Sequence, residues 1–111
     1  MEYLTASEVA ELIRRKEKTA KRLISKLNDE LERDGYLVRR GKISRAYLET
    51  RFKDFGLLSA EEVAKILRQS LSSGSRIITR LNRELEEKGY LTIAGMIPES
   101  YLRERLRVSE E

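Results

Sequence analysis

The chain has no cysteine, no histidine and no tryptophan, a single proline, and only two Phe and five Tyr in 111 residues. The absence of thiols and imidazoles excludes disulfides, thiolate or imidazole metal sites, cysteine nucleophiles and histidine general bases. No long apolar run is present, so the sequence predicts neither a membrane span nor a signal peptide, and a cytoplasmic, non-membrane protein is expected. What is abundant is Ala, Glu, Lys, Leu and Arg, together 62 of the 111 residues. That bias predicts a mostly helical chain. Gly35, Gly41, Gly56, Gly89 and Gly95 interrupt it too often for a coiled coil. The length suits one ordinary domain or two very small units.

Two small units are favoured, because the chain repeats itself at an offset of 54 positions without gaps. Residues 4–52 align with 58–106, with 21 of 49 columns identical. LTASEVAELIR at Leu4–Arg14 matches LSAEEVAKILR at Leu58–Arg68, and LNDELERDGYL at Leu27–Leu37 matches LNRELEEKGYL at Leu81–Leu91. The pattern Gly41-x-Ile43-x-x-x-Tyr47-Leu48-x-x-Arg51 returns as Gly95-x-Ile97-x-x-x-Tyr101-Leu102-x-x-Arg105. We therefore read unit 1 as 1–52, a short linker as 53–56, unit 2 as 57–107 and an acidic tail as 108–111.

Each unit has the same predicted order. Thr5-x-x-Glu8 is a capping-box signature opening a short helix. After a turn near Arg14–Lys16, a second helix runs from about 17 to 34, with Ala20, Leu23, Ile24, Leu27 and Leu31 on one face and Gly35 as its stop. Tyr36–Val38 and Lys42–Ile43 read as a hairpin around Arg40-Gly41, and Ser44 caps a last short helix. Unit 2 has Ser59-x-x-Glu62, Ser70 as a cap, a helix over about 71–88, Gly89 as stop, Gly95 in the hairpin and Pro98 at a helix start. The predicted fold class is mainly α with small β-hairpin wings: two tandem winged helix-turn-helix units in one chain.

Seven consecutive columns differ between the copies. Arg15-Lys16-Glu17-Lys18-Thr19-Ala20-Lys21 faces Gln69-Ser70-Leu71-Ser72-Ser73-Gly74-Ser75, at the turn and the start of the second helix. In a helix-turn-helix that segment meets base edges in the major groove, so copies that read different bases diverge there. Drift of solvent-facing positions is the plainer alternative. Charge favours the former. Arg14–Lys26 holds seven bases against one acid, whereas Asp29, Glu30, Glu32 and Asp34 gather at the far helix end. A helix tuned only for stability would reverse this, because its dipole favours anions at the N-terminus. A polyanion arriving at that N-terminus explains the arrangement. The predicted wings differ too. Arg39-Arg40-Gly41-Lys42 is basic and suits phosphates, while Thr92-Ile93-Ala94-Gly95-Met96 is apolar and reads as a protein contact through Ile93 and Met96.

The segment Leu4-Thr5-x-x-Glu8-Val9-Ala10-Glu11-Leu12-Ile13, continued by Thr19-Ala20-Lys21-Arg22-Leu23-Ile24 and repeated from Leu58 to Ile78, resembles the MerR/excisionase type of small winged helix-turn-helix. The resemblance implies double-stranded DNA binding by a transcription regulator, with base-reading roles on Lys18, Thr19, Lys21, Arg22, Ser72, Ser73, Ser75 and Arg76. The chain departs from the family at the turn, where Arg14-Arg15-Lys16 and Arg68-Gln69-Ser70 replace a Gly-Val-Ser type of sequence. The tandem arrangement and biased composition also fit an engineered chain.

The expected function is sequence-specific DNA binding without catalysis, cofactor, metal or small-molecule substrate. Arg22, Arg76 and Arg80 are the candidates for guanine, Glu17 for a cytosine amino group unless it pairs with Lys21, and Leu71 for a thymine methyl unless it turns inward. Lys16, Lys26, Arg39, Arg40 and Lys42 are candidates for the backbone, with Arg15 in the turn and Ser70 at the second helix start as further DNA-binding candidates. A monomer with both units engaged is expected. The alternative has unit 1 alone on DNA and unit 2 forming a homodimer or another protein contact.

Overall fold

A computed structural model of the chain describes residues 2–106; residue 107 of the expected second unit and the expected tail at 108–111 lie outside the described residues. The fold is mainly helical with two small antiparallel sheets. In chain order the elements are β1 (Tyr3–Thr5), α1 (Ala6–Ile13), α2 (Glu17–Arg33), β2 (Lys42–Ser44) and α3 (Arg45–Arg51). The same order then recurs as β3 (Leu57–Ser59), α4 (Ala60–Leu67), α5 (Leu71–Glu87), β4 (Met96–Pro98) and α6 (Glu99–Leu106).

The contacts divide the chain into two units between Thr50 and Arg51, earlier than the linker expected at 53–56. That segment is not a free tether. Lys53 pairs with Glu104, Asp54 accepts from Ser100, and the Gly56 carbonyl accepts from Glu99 N at 2.7 Å. All of these partners lie in unit 2, so the segment folds with it.

Both short first helices begin with the predicted capping box: Thr5 accepts from Glu8 N while Glu8 accepts from Thr5 N, and Ser59 and Glu62 do the same. Each then ends on a left-handed residue, and in both units that residue is arginine: Arg14 at φ 56° and Arg68 at φ 55°. The reversed backbone lets Arg15 N reach Ala10 O at 3.1 Å and Gln69 N reach Ala64 O at 2.9 Å, which closes the helix and redirects the chain. Missing the expected glycine, the turn forms anyway, with a side chain that costs about 1–2 kcal/mol there.

The second helices bury Ala20, Ile24 and Leu27 in unit 1, and Gly74, Ile78, Leu81 and Leu85 in unit 2. In unit 2, Ile78, Leu81 and Leu85 pack with Val63, Ile97, Tyr101 and Leu102 in one core. Burying each large apolar side chain contributes about 1.5–3 kcal/mol.

The expected hairpins are absent. Residues 36–38 form no strand, and β2 pairs instead with β1, Leu4 opposite Ile43; likewise β4 pairs with β3, Leu58 opposite Ile97. Two causes act together. Leu4 and Ile43 are both buried, whereas Tyr36 and Leu37 face solvent and offer a sheet no apolar face. The turn carbonyls are also already engaged: the Asn28 amide donates to Arg39 O at 3.2 Å and Lys42 O at 3.0 Å. Asn82 repeats the device on Ile93 O and Met96 O. Pro98 closes β4 rather than opening a helix, which begins one residue later at Glu99.

Candidate nucleic-acid interface

The start of α2 carries the densest positive charge, and its geometry follows from helical spacing. Lys18, Lys21, Arg22 and Ser25 fall on the side opposite Ala20, Ile24 and Leu27, and all four are exposed. Thr19, Lys16 and Lys26 are exposed as well. Among the described residues none of Lys16, Lys18, Lys21, Arg22 and Lys26 forms an ion pair. Glu17 and Lys21, placed for an i,i+4 pair, do not make one. Lys16 is the N-cap and supplies no side-chain cap; its carbonyl accepts from Thr19 N at 3.0 Å and Ala20 N at 3.2 Å.

Arg15 is placed differently from its neighbours. It is half-buried and its Nη1 donates to the Arg14 carbonyl at 3.0 Å, bracing the turn. Arg39 lies over the Tyr3 ring, 5.3 Å from its centroid, and Arg40 and Lys42 are exposed beside the Gly41 turn. A groove between α2 and this turn is lined by Lys21, Asn28, Asp29, Glu32 and Arg40. The structure therefore brings Lys21 of α2 and Arg40 to one groove, together with Asp29 and Glu32, even though the Arg39–Lys42 segment is a turn and not a hairpin tip.

The corresponding surface of α5 is neutral and short-chained. Ser70 accepts from Ser73 N at 3.2 Å and caps the helix as expected, and the Ser70 and Ser73 hydroxyls bond to each other. Arg76 Nη2 donates to Ser73 Oγ at 3.4 Å, so the guanidinium lies along the helix start. Ser72, Ser75 and Arg76 are exposed, and Ser73 is half-buried. Leu71 points outward with 54% of its surface exposed, which removes the inward-staple option. Arg80 Nε sits 3.9 Å from Glu84, so this arginine is drawn along its own helix and away from the helix start.

The protein-contact expectation for Ile93 and Met96 fails for Met96. It is a strand residue of β4, buried at 8% exposure, with its Cα opposite Ser59. Ile93 is half-buried and its carbonyl is held by Asn82. What looked like a costly exposed wing is strand and turn tied to the unit's own second helix.

Sequence reasoning missed the pair Asn28 and Asn82, and also a second repeated contact. Tyr47 donates to Glu30 and Tyr101 to Glu84, each at 2.7 Å. In unit 2, Arg105 adds two bonds to the same carboxylate, at 2.8 and 2.9 Å. These bonds, the Arg105 guanidinium first and the Tyr101 hydroxyl second, lower the Glu84 pKa to about 2. Burial, reinforced by Glu84, raises Tyr101 above its ordinary value. The signal was present: columns 28/82, 30/84 and 47/101 are identical in the repeat. Among the described residues no cluster of acidic side chains is arranged to hold a metal ion, and no helix is long and apolar enough to cross a membrane. Comparison with protein-family models, curated proteins and solved structures yields no match.

Proposed function

We propose that the chain binds double-stranded DNA in a sequence-specific manner, as two tandem helix-turn-helix units similar to the MerR/excisionase type, with a turn in place of each hairpin wing. In this reading α2 and α5 enter the major groove by their N-terminal halves, and the Arg39–Lys42 turn lies on the phosphate backbone. The observation that carries it is the cationic start of α2: Lys16, Lys18, Lys21, Arg22 and Lys26 are all exposed and have no carboxylate partner among the described residues. Such crowding works against the helix dipole, and an arriving phosphate chain reverses the sign of that cost.

Within this reading the two helices have different tasks. On α2, Lys18, Lys21 and Arg22 offer long cationic donors, and Arg22 suits the O6 and N7 acceptors of guanine. On α5, Ser72 and Ser75 suit either base edge, Leu71 suits a thymine methyl, and Arg76 is the one long donor at the helix start. Unit 1 supplies most of the salt-dependent affinity and unit 2 adds sequence choice.

Selection from a random duplex library, followed by salt titration of the selected sequence, tests the proposal. A two-part motif and a steep fall of affinity with salt are expected. Retention of no duplex at low salt overturns the proposal, and a motif covering a single short site removes unit 2 from the DNA.

A further inference from the structure

Unit 1 has a groove of about 550 Å³ between α2 and the 38–41 segment, a size that suits a small ligand. One wall is a single side of α2, where Lys21, Ser25, Asp29 and Glu32 follow at helical spacing. The other wall is Val38, Arg40 and Gly41, held at the level of Asn28 because the Asn28 amide donates to Arg39 O and Lys42 O. Ala6 and Ile24, both buried, add an apolar lining. Among the described residues none of Lys21, Asp29, Glu32 and Arg40 forms an ion pair.

Duplex binding accounts for only half of these charges. Lys21 and Arg40 suit phosphates, but Asp29 and Glu32 in the same groove repel a polyanion. Nor do the charges come with the fold. The equivalent groove of unit 2 is lined by Thr79, Asn82, Arg83, Glu86, Thr92 and Ala94. At the positions of Lys21, Asp29 and Arg40 the repeat has Ser75, Arg83 and Ala94, while Asn28, Glu32 and Gly41 are kept as Asn82, Glu86 and Gly95. Glu86 accepts from the Thr92 hydroxyl at 2.6 Å, whereas Val38 stands in that place in unit 1 and has no hydroxyl to give Glu32. The scaffold is shared, but only unit 1 sets a helix base about two turns or more from the acids of the groove.

That separation decides what fits. At about 1.5 Å per residue, Lys21 lies about 12 Å along the helix axis from Asp29 and about 16 Å from Glu32. A free amino acid is too short to meet both signs, whereas three or four extended residues span about 10–14 Å. We propose that this groove binds a short linear zwitterion, a peptide of three or four residues with free termini, its carboxylate at Lys21 and Arg40 and its ammonium at Asp29 and Glu32. Ala6, Ile24 and Val38 receive its apolar side chains, and Ser25 supplies a hydroxyl to its backbone. The charged groups are exposed and screened by water, so the affinity is millimolar.

Amide NMR spectra of the whole chain without DNA, titrated with tetraalanine to about 20 mM, test this in the expected affinity range. Saturable shifts are expected at amides 21–32 and 38–41, and none at the unit 2 equivalents 75–86 and 92–95. Acetylating the N-terminus of the peptide or amidating its C-terminus removes one charge, and each cap is expected to weaken binding about two- to fivefold. Lys21→Gln is expected to weaken the free peptide but not the C-amidated one, and Glu32→Gln the free peptide but not the N-acetylated one. Both side chains are exposed, and the same spectra report that each variant is folded. Absence of saturable shifts overturns the proposal, as do equal binding of the doubly capped peptide, the same shifts with sodium acetate, or a variant that binds free peptide like the wild type. Because the tube holds no DNA, these outcomes are independent of duplex binding.

Discussion

The Asn28 side-chain amide donates to the carbonyl of Lys42 across 3.0 Å, and the same nitrogen reaches Arg39 O. One buried polar group thereby fixes the connection between α2 and β2, residues 34–41, to the second helix. Asn82 does this in unit 2, where its Oδ1 is buried without a partner among the described residues. Asn82→Ala leaves the carbonyls of Ile93 and Met96 short of a donor, at a cost of about 1–3 kcal/mol. Asn82→Asp should be worse above the carboxylate pKa, since an acceptor would then face acceptors. Urea midpoints for the three proteins give the order.

The helices were legible because their cues are local. Thr5-x-x-Glu8 and Ser59-x-x-Glu62 announce their starts, Gly35 and Gly89 their ends, and the spacing of Ile24, Leu27 and Leu31 the buried face. The sheets were not, because a three-residue strand has no period to read and its partner lies 38 or so positions away by loop closure. Leu4 and Ile43 pair only because α1 and α2 place their ends together. The exposed bases of α2 were readable from spacing, whereas the loss of Arg15 to the turn and of Arg80 toward Glu84 depends on side-chain geometry that no spacing encodes.

Gly74 answers to packing rather than to helix propensity. A Cβ there would lie 2.7 Å from the backbone oxygen of Ala60 and 3.3 Å from the Ala64 Cβ, neither of which is a flexible side-chain end. Alanine in a helix gains about 1 kcal/mol over glycine, but overpacking of this kind costs about 1–3 kcal/mol. Gly74→Ala is expected to lower the melting temperature, although its unit 1 equivalent is Ala20, fully buried in α2. A rise would show that α4 and α5 separate at little cost.

Arg68 sits at φ 55° in an exposed turn, the conformation in which glycine has no steric penalty. Relief of roughly 1 kcal/mol is expected from Arg68→Gly, reduced by the greater freedom of glycine in the unfolded chain. The net is a small stabilisation, read as a higher denaturant midpoint with an unchanged slope. A destabilised variant would mean that the Arg68 side chain contributes more than its backbone costs.

Glu84 links stability to acid. Its pKa falls from the ordinary 4.5 to about 2 in the folded chain, first through the Arg105 hydrogen bonds and then through Tyr101. The folded state therefore binds fewer protons at this site than the unfolded one, and the contribution is fully present above the ordinary value. It is lost as pH falls from about 4.5 toward about 2. Tyr101 acts at the other end: its raised pKa makes the neutral phenol's contribution present below its ordinary value and lost at higher pH. Glu84→Gln should flatten the acid limb of a urea-midpoint series, and an unchanged limb would assign acid sensitivity to other carboxylates.

In the proposed complex Arg76 and Lys42 separate reading from holding. Arg76 lies at the start of α5 with its guanidinium along the helix, where a bidentate contact discriminates guanine by about 1–3 kcal/mol. Lys42 is exposed beside the Gly41 turn, and in the proposed complex its ammonium is a phosphate contact. Arg76→Ala is expected to relax preference at one or two positions of one half-site and leave the other half-site unaltered. Lys42→Ala should weaken all duplexes alike and lower the salt slope by about 1. Binding to a panel of single-base variants at two salt concentrations measures both. If Arg76→Ala weakens every sequence equally, Arg76 is a backbone contact and α5 takes its specificity from the serines.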